Sequence, residues 1–160
     1  MSELKLDLSR FSFGITSAIV TSLALMLGLD QTRDPRTSIV GALLLIAIAD
    51  NVADSLGLHV YRESVPGASG THWVYIVSNF ATRLGVMMLF IVLVSVLSLT
   101  YAIVSSIIVG LTLLTVMSYY IAVYQKLSPA RAVIQHLGIA VLVILLSHFL
   151  GVLIGDLFHA

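Results

Sequence analysis

The chain has 160 residues, of which 59% are hydrophobic and only 10% charged, with a mean hydropathy of +1.07. A soluble domain carries about 25% charged residues, so composition excludes a water-soluble globule and places the chain in a bilayer. Eight Lys and Arg balance eight Asp and Glu, and there is no cysteine. Bulk attraction to nucleic acid, a disulfide framework and thiolate metal or redox chemistry are therefore all excluded.

In chain order, a charged head (residues 1–10) precedes an apolar stretch from Phe11 to Leu29. That stretch is longer than the apolar region of a signal peptide and no A-x-A-like cleavage site follows, so it reads as a retained first span. Thr16, Ser17, Ala18, Thr21 and Ser22 give it a small-residue face suited to close helix approach. Asp30, Arg33, Asp34, Pro35 and Arg36 form a polar turn with a proline stop. A second span is expected over 37–61, closed by Arg62 and Glu63 and broken by Pro66, Gly67 and Gly70.

From Thr71 a helical pattern resumes, with Trp73, Ile76, Val77, Phe80 and Leu84 on one face and His72, Ser78, Asn79, Thr82 and Arg83 as polar company. Residues 63–79 read as a short interfacial segment, with Trp73 and Tyr75 at headgroup level. Residues 85–124 carry no charge. One helix of that length would reach about 60 Å, against a hydrocarbon core of about 30 Å. The run must reverse, and Ser95, Ser98, Thr100 and Tyr101 mark the place, giving spans over 80–98 and 102–124. Tyr119, Tyr120 and Tyr124 form an aromatic belt, Lys126, Pro129 and Arg131 make a loop, and a fifth span covers 132–155.

The expectation is thus one all-α integral membrane domain of five spans. With five, Lys5, Arg10, Arg62, Arg83, Lys126 and Arg131 fall on one side and only Arg33 and Arg36 on the other. The positive-inside rule then puts the N-terminus in the cytoplasm and the C-terminus outside. The pattern reads as a multi-pass protein of a prokaryotic cell membrane. In the fifth span Gly151 and Gly155 make a GxxxG pair, for packing within the chain or for a homodimer seam.

The unusual residues are Asp50, Asn51 and Asp54, inside an otherwise apolar second span. A carboxylate at membrane depth costs roughly 2.5–3.5 kcal/mol. Spacing of i and i+4 puts both on one helical face. Protons, a basic side chain or a metal cation must neutralise that face. Carboxylate and amide oxygens suit hard or borderline divalent ions such as Mn²⁺ and Fe²⁺. Carboxylates so close do not ionise independently, which would let protons and metal exchange on one site. A twofold axis beside this helix would double the ligands. The competing account is structural, each Asp paired to polar groups of another helix.

FSFGITSAIVTSLALMLGL resembles the first span of the vacuolar iron transporter family, with Phe-Gly opening a small-residue helix that ends in Gly-Leu. IVGALLLIAIADNVADSLGLHVYRES and HLGIAVLVILLSHFLGVLIGDLF are similar to its second and last spans. The resemblance implies a five-span homodimer that moves Fe²⁺ or Mn²⁺ in exchange for protons. No tightly bound cofactor is expected. Two departures stand out. Where the family has Asn-Asp-Gly in the first span this chain has Thr16, Ser17 and Ala18, and residues 64–83 carry none of the carboxylates of the family's metal-binding insert. Asp50 and Asp54 are expected to replace the lost first-span carboxylate.

Secondary candidates are His148 in the fifth span, as ligand or proton relay, His59 near the inner entrance, and Ser17. Met26, Met87, Met88 and Met117 could be soft ligands but suit gap-filling better. No nucleophile–base pattern, phosphate-binding loop or HExxH motif appears, so the chain is not read as an enzyme. The expected function is transport of Fe²⁺ or Mn²⁺ through Asp50, Asn51 and Asp54. The alternatives are a non-transporting structural protein and a proton-coupled carrier of another solute.

Overall fold

The computed structural model describes residues 9–64 and 72–159. They form five helices: α1 (Ser9–Gly28), α2 (Pro35–Ser64), α3 (His72–Val96), α4 (Leu99–Tyr124) and α5 (Pro129–His159). Each is long and apolar enough to cross a membrane. The all-helical, five-span architecture read from the sequence is therefore present, and the expected reversal of the charge-free run falls at Leu97–Ser98. The third helix starts earlier than the span placed at 80–98, because the segment taken as interfacial is continuous with it from His72. Pro66, Gly67 and Gly70 lie outside the described residues.

Local chemistry sets the ends. Pro35 opens α2 rather than merely closing the turn before it. Asp34 precedes it as the cap: its carbonyl accepts from the Ser38 amide at 3.0 Å, and its Oδ1 faces the Thr37 amide at 3.5 Å. Arg36 reaches across to the end of α3 and donates to the carbonyls of Ser95 (3.3 Å) and Leu97 (2.6 Å). A cation there satisfies carbonyls that the helix end leaves open and complements its dipole. At the end of α4, Lys126 takes the left-handed conformation (φ 57). The Leu127 amide then reaches the Ala122 carbonyl at 2.8 Å, closing a Schellman turn before Pro129 opens α5.

α1 is the hub, packing on all four other helices, while α2 rests mainly on α3, and α5 on α1 and α4. Ile19, Leu23 and Met26 of α1 meet Ile39 and Leu43 of α2, Phe90 and Val94 of α3, Leu114 of α4 and Ala140 of α5 in one apolar cluster. Met87 is buried beside Ala18 and Ala47. The methionines Met26 and Met87 thus fill the core, as their softness suits. α4 buries a strict four-residue row of small or slim side chains, Ala102, Ser106, Gly110, Leu114, Ser118 and Ala122. A Cβ on Gly110 would meet Leu23 at 2.9 Å and Ile19 at 3.2 Å, so this row lets α1 approach closely.

Gly151 has the same role between α5 and α1. A Cβ there would lie 2.5 Å from the Gly28 carbonyl oxygen, against backbone that cannot swing aside. Of the two roles open to the GxxxG pair, Gly151 serves packing within the chain. Gly155 is looser, 3.7 Å from the Gln31 Cβ.

α3 shows why the helical pattern in the third span reads differently in lipid. Its inward face is Ile76, Asn79, Arg83, Met87, Phe90 and Val94, whereas Trp73 and Val77 of the expected apolar face point outward. In water the apolar stripe turns in. In a bilayer the outside is apolar too, so polar side chains are the ones that must be covered.

Candidate functional site: an arginine shared by two carboxylates

Asp50 stands at the midpoint of α2, and Asp54 one turn further on. Their helix packs along α3, and Arg83 lies near the middle of α3. The Arg83 guanidinium bridges both: Nη2 pairs with Asp50 Oδ2, and Nη1 with Asp54 Oδ2. Arg83 is 1% exposed. The two carboxylates are less covered, with side chains 47% and 30% exposed on the outer side of the seam.

The geometry follows from helix periodicity. Carboxylates at i and i+4 stack on one face, about one helical pitch of 5.4 Å apart. A guanidinium presents several N–H groups in a fixed plane and can meet one carboxylate with each end. A lysine ammonium offers no such fork. Removing a guanidinium from water is costly, and only paired charges make its burial tolerable.

Asn51, between the two aspartates in sequence, is fully buried in the same seam. Its Nδ2 donates to the Phe80 carbonyl at 3.0 Å, and Ser55 Oγ donates to the Asn51 carbonyl at 2.8 Å. The amide oxygen of Asn51 has no protein donor. One turn before Arg83, Asn79 is fully buried too, with neither Oδ1 nor Nδ2 partnered. A Cβ on Gly14 of α1 would sit 2.8 Å from both the Asn79 carbonyl oxygen and its Oδ1, so Gly14 admits α3 at this level.

The candidate set Asp50, Asn51 and Asp54 is thus brought together, but around an arginine. Arg83 is the site residue that sequence reasoning misses, because it counts there among the loop cations. Removing it leaves Lys5, Arg10, Arg62, Lys126 and Arg131 against Arg33 and Arg36, so the charge bias on which the N-inside expectation rests is still in the sequence. A signal for it exists: Arg83 stands alone between two long uncharged runs, 64–82 before it and 84–125 after it, unlike any other cation in the chain.

The secondary candidates lie apart from the cluster. His148 is on α5, which packs on α1 and α4, and its Nδ1 is 3.8 Å from Asp30 Oδ2. His59 stands 3.3 Å from Glu63 and stacks at 5.1 Å on Trp73, which fits an interfacial place. Ser17 is half-buried on α1. A further polar contact, unread in the sequence, joins Ser118 Oγ to His136 Nδ1 at 2.8 Å between α4 and α5. Among the described residues, no three His, Asp or Glu side chains come together in one group.

No family model, curated protein or solved structure matches this chain. The likeness to vacuolar iron transporters accordingly rests on the three segments quoted above.

Proposed function

We propose that this protein is a multi-pass membrane transporter of cations, with the Asp50–Arg83–Asp54 cluster as its exchange centre. One observation carries the reading: near the middle of α2 and α3, two carboxylates share a single buried guanidinium and remain part-exposed. A lock that served only the fold would balance its charges, whereas this one keeps a negative charge open at the outer side of α2. Intramembrane charge of that kind marks ion pathways. Arg83 then acts as a fixed counter-cation that holds the two carboxylates together while a guest binds beside it.

The resemblance would make the cargo Fe²⁺ or Mn²⁺, exchanged for protons, with the N-terminus in the cytoplasm of a prokaryotic cell. The guanidinium on both carboxylates stands against a doubly charged guest, and the reading here is of cations as a class. A homodimer fits it, since a second copy along α2 would cover carboxylates that cannot face acyl chains. The structural alternative has its own support in the near-complete burial of Arg83.

The deciding experiment is uptake of Na⁺, Mn²⁺ and Fe²⁺ into proteoliposomes, with and without a pH gradient. Wild type is run beside Asp50→Asn and Asp54→Asn, each checked for monodispersity. Flux of any of these ions that both substitutions remove is the expected result. Folded wild-type protein that moves none of them would leave the cluster as a helix lock.

A further inference from the structure

Arg83 cannot lose its proton in a protein, and both its terminal nitrogens are engaged by α2 carboxylates. With two ionised carboxylates, the cluster therefore carries one net negative charge. We propose that Arg83 sets the valence of the guest: with the guanidinium in place, the centre accepts one positive charge, in the form of a monovalent cation such as Na⁺, and rejects divalent ions. This rests on the transport reading above and narrows its substrate class.

The reason is charge closure in a medium that does not solvate ions. A singly charged guest brings the seam to neutrality at mid-membrane. A doubly charged one leaves a positive charge there and sits beside the guanidinium as well. Donors for a small cation remain on the same turn of α2. Arg83 engages Oδ2 of both aspartates, leaving their Oδ1 atoms. Asn51 adds an independent pointer: its Oδ1 is buried, has no protein donor, and belongs to a side chain anchored through Nδ2 to Phe80. Hard oxygens of this kind suit hard cations. No third acidic or imidazole side chain joins them among the described residues, so nothing there offsets a second positive charge.

The test is a charge series on the full chain in detergent, read as equilibrium binding of radiolabelled Na⁺ and Mn²⁺. Wild type is expected to bind Na⁺ in preference. Arg83→Gln, which leaves two negative charges, should raise the Mn²⁺-to-Na⁺ affinity ratio by about a hundredfold, the order Coulomb's law gives for a unit charge removed from about 5 Å at an effective dielectric constant of about 20. Asp54→Asn, with no net charge, should lose both ions. The double variant Arg83→Gln/Asp54→Asn, again with one negative charge, should return to preferring Na⁺, and Arg83→Lys should keep the wild-type preference. If Arg83→Gln does not fold, the other three variants still separate the charge count from a packing role. Wild type that prefers Mn²⁺, or a ratio that ignores the charge series, overturns the proposal and leaves cation transport standing. Failure of every folded form to bind either ion removes the exchange centre, and this inference with it.

Discussion

Replacing Arg83 by glutamine should cost the fold about 3 kcal/mol. Removing one partner of a buried ion pair typically costs about 3–5 kcal/mol, because the other charge is left uncompensated. Here the stranded groups are Asp50 and Asp54, whose side chains are 47% and 30% exposed. Neither is wholly enclosed by protein, so the stranded charge is less confined than in a closed core, which argues for the lower end. At about 1.4 kcal/mol per tenfold, the folded-to-unfolded ratio falls by about a hundredfold. Trp73 is the only tryptophan, on the first turn of α3 against His59, and reports on the α2–α3 seam. Its fluorescence during SDS-driven unfolding in mixed micelles gives the free energy directly. Adding Asp54→Asn to Arg83→Gln should recover about 1–2 kcal/mol, since one stranded carboxylate becomes neutral. A loss below about 1 kcal/mol for Arg83→Gln, or no recovery in the double variant, would show that the guanidinium is not held dry between the carboxylates, and the site as described would fall with it.

Further substitutions test the packing that presents the site. Gly151→Ala drives a methyl into Gly28 backbone, 2.5 Å from its oxygen, and should cost about 2–3 kcal/mol in thermal melts. Gly155→Ala, 3.7 Å from the Gln31 Cβ, should stay within about 0.5 kcal/mol, and equal losses at both positions would refute the intrachain contact. Gly57 on α2 has nothing within 4 Å, so Gly57→Ala should gain about 0.5–1 kcal/mol from helix propensity. A loss of oligomer in that variant, seen by light scattering, would instead place a second copy against α2. Asn79 is buried with both polar atoms unpartnered. Asn79→Leu should therefore stabilise by about 1 kcal/mol, and clear destabilisation would mean the amide has a partner inside the membrane.

The spans are legible in the sequence because hydrocarbon imposes length and apolarity on a helix more strictly than water does. Residues 85–124 could not be one helix, and the break at Leu97–Ser98 follows from length alone. The pair Asp50 and Asp54 is equally plain, since nothing but function or a buried partner keeps two carboxylates in an apolar run. Their partner is harder to see. Read as an amphipathic lead-in at a water interface, residues 71–84 leave Arg83 on a polar, solvated side with the loop cations. In the fold it shares the inward face of α3 with Ile76, Asn79 and Met87, at helical spacings of three and four. Matching charges by depth would have found it. Among the described residues, Arg83 is the one cation set near the middle of a span, level with the middle of α2.

The arrangement also explains why α2 needs so little of the rest of the bundle. It rests mainly on α3, with a small contact to α1, and cations tie it at two heights: Arg36 to the last carbonyls of α3, Arg83 to the aspartates at mid-height. Between them the seam is apolar, through Leu43, Ala47 and Met87. Releasing Arg83 would leave α2 tied to α3 by Arg36 at its N-terminal end and by the single Asn51–Phe80 hydrogen bond further along, whereas α1, α4 and α5 are locked by Gly28, Gly110 and Gly151 at close approach. On the proposed transport reading, motion linked to a cation on Asp50 and Asp54 is therefore expected in α2 against a fixed remainder, the asymmetry that an exchange centre on a peripheral helix would require.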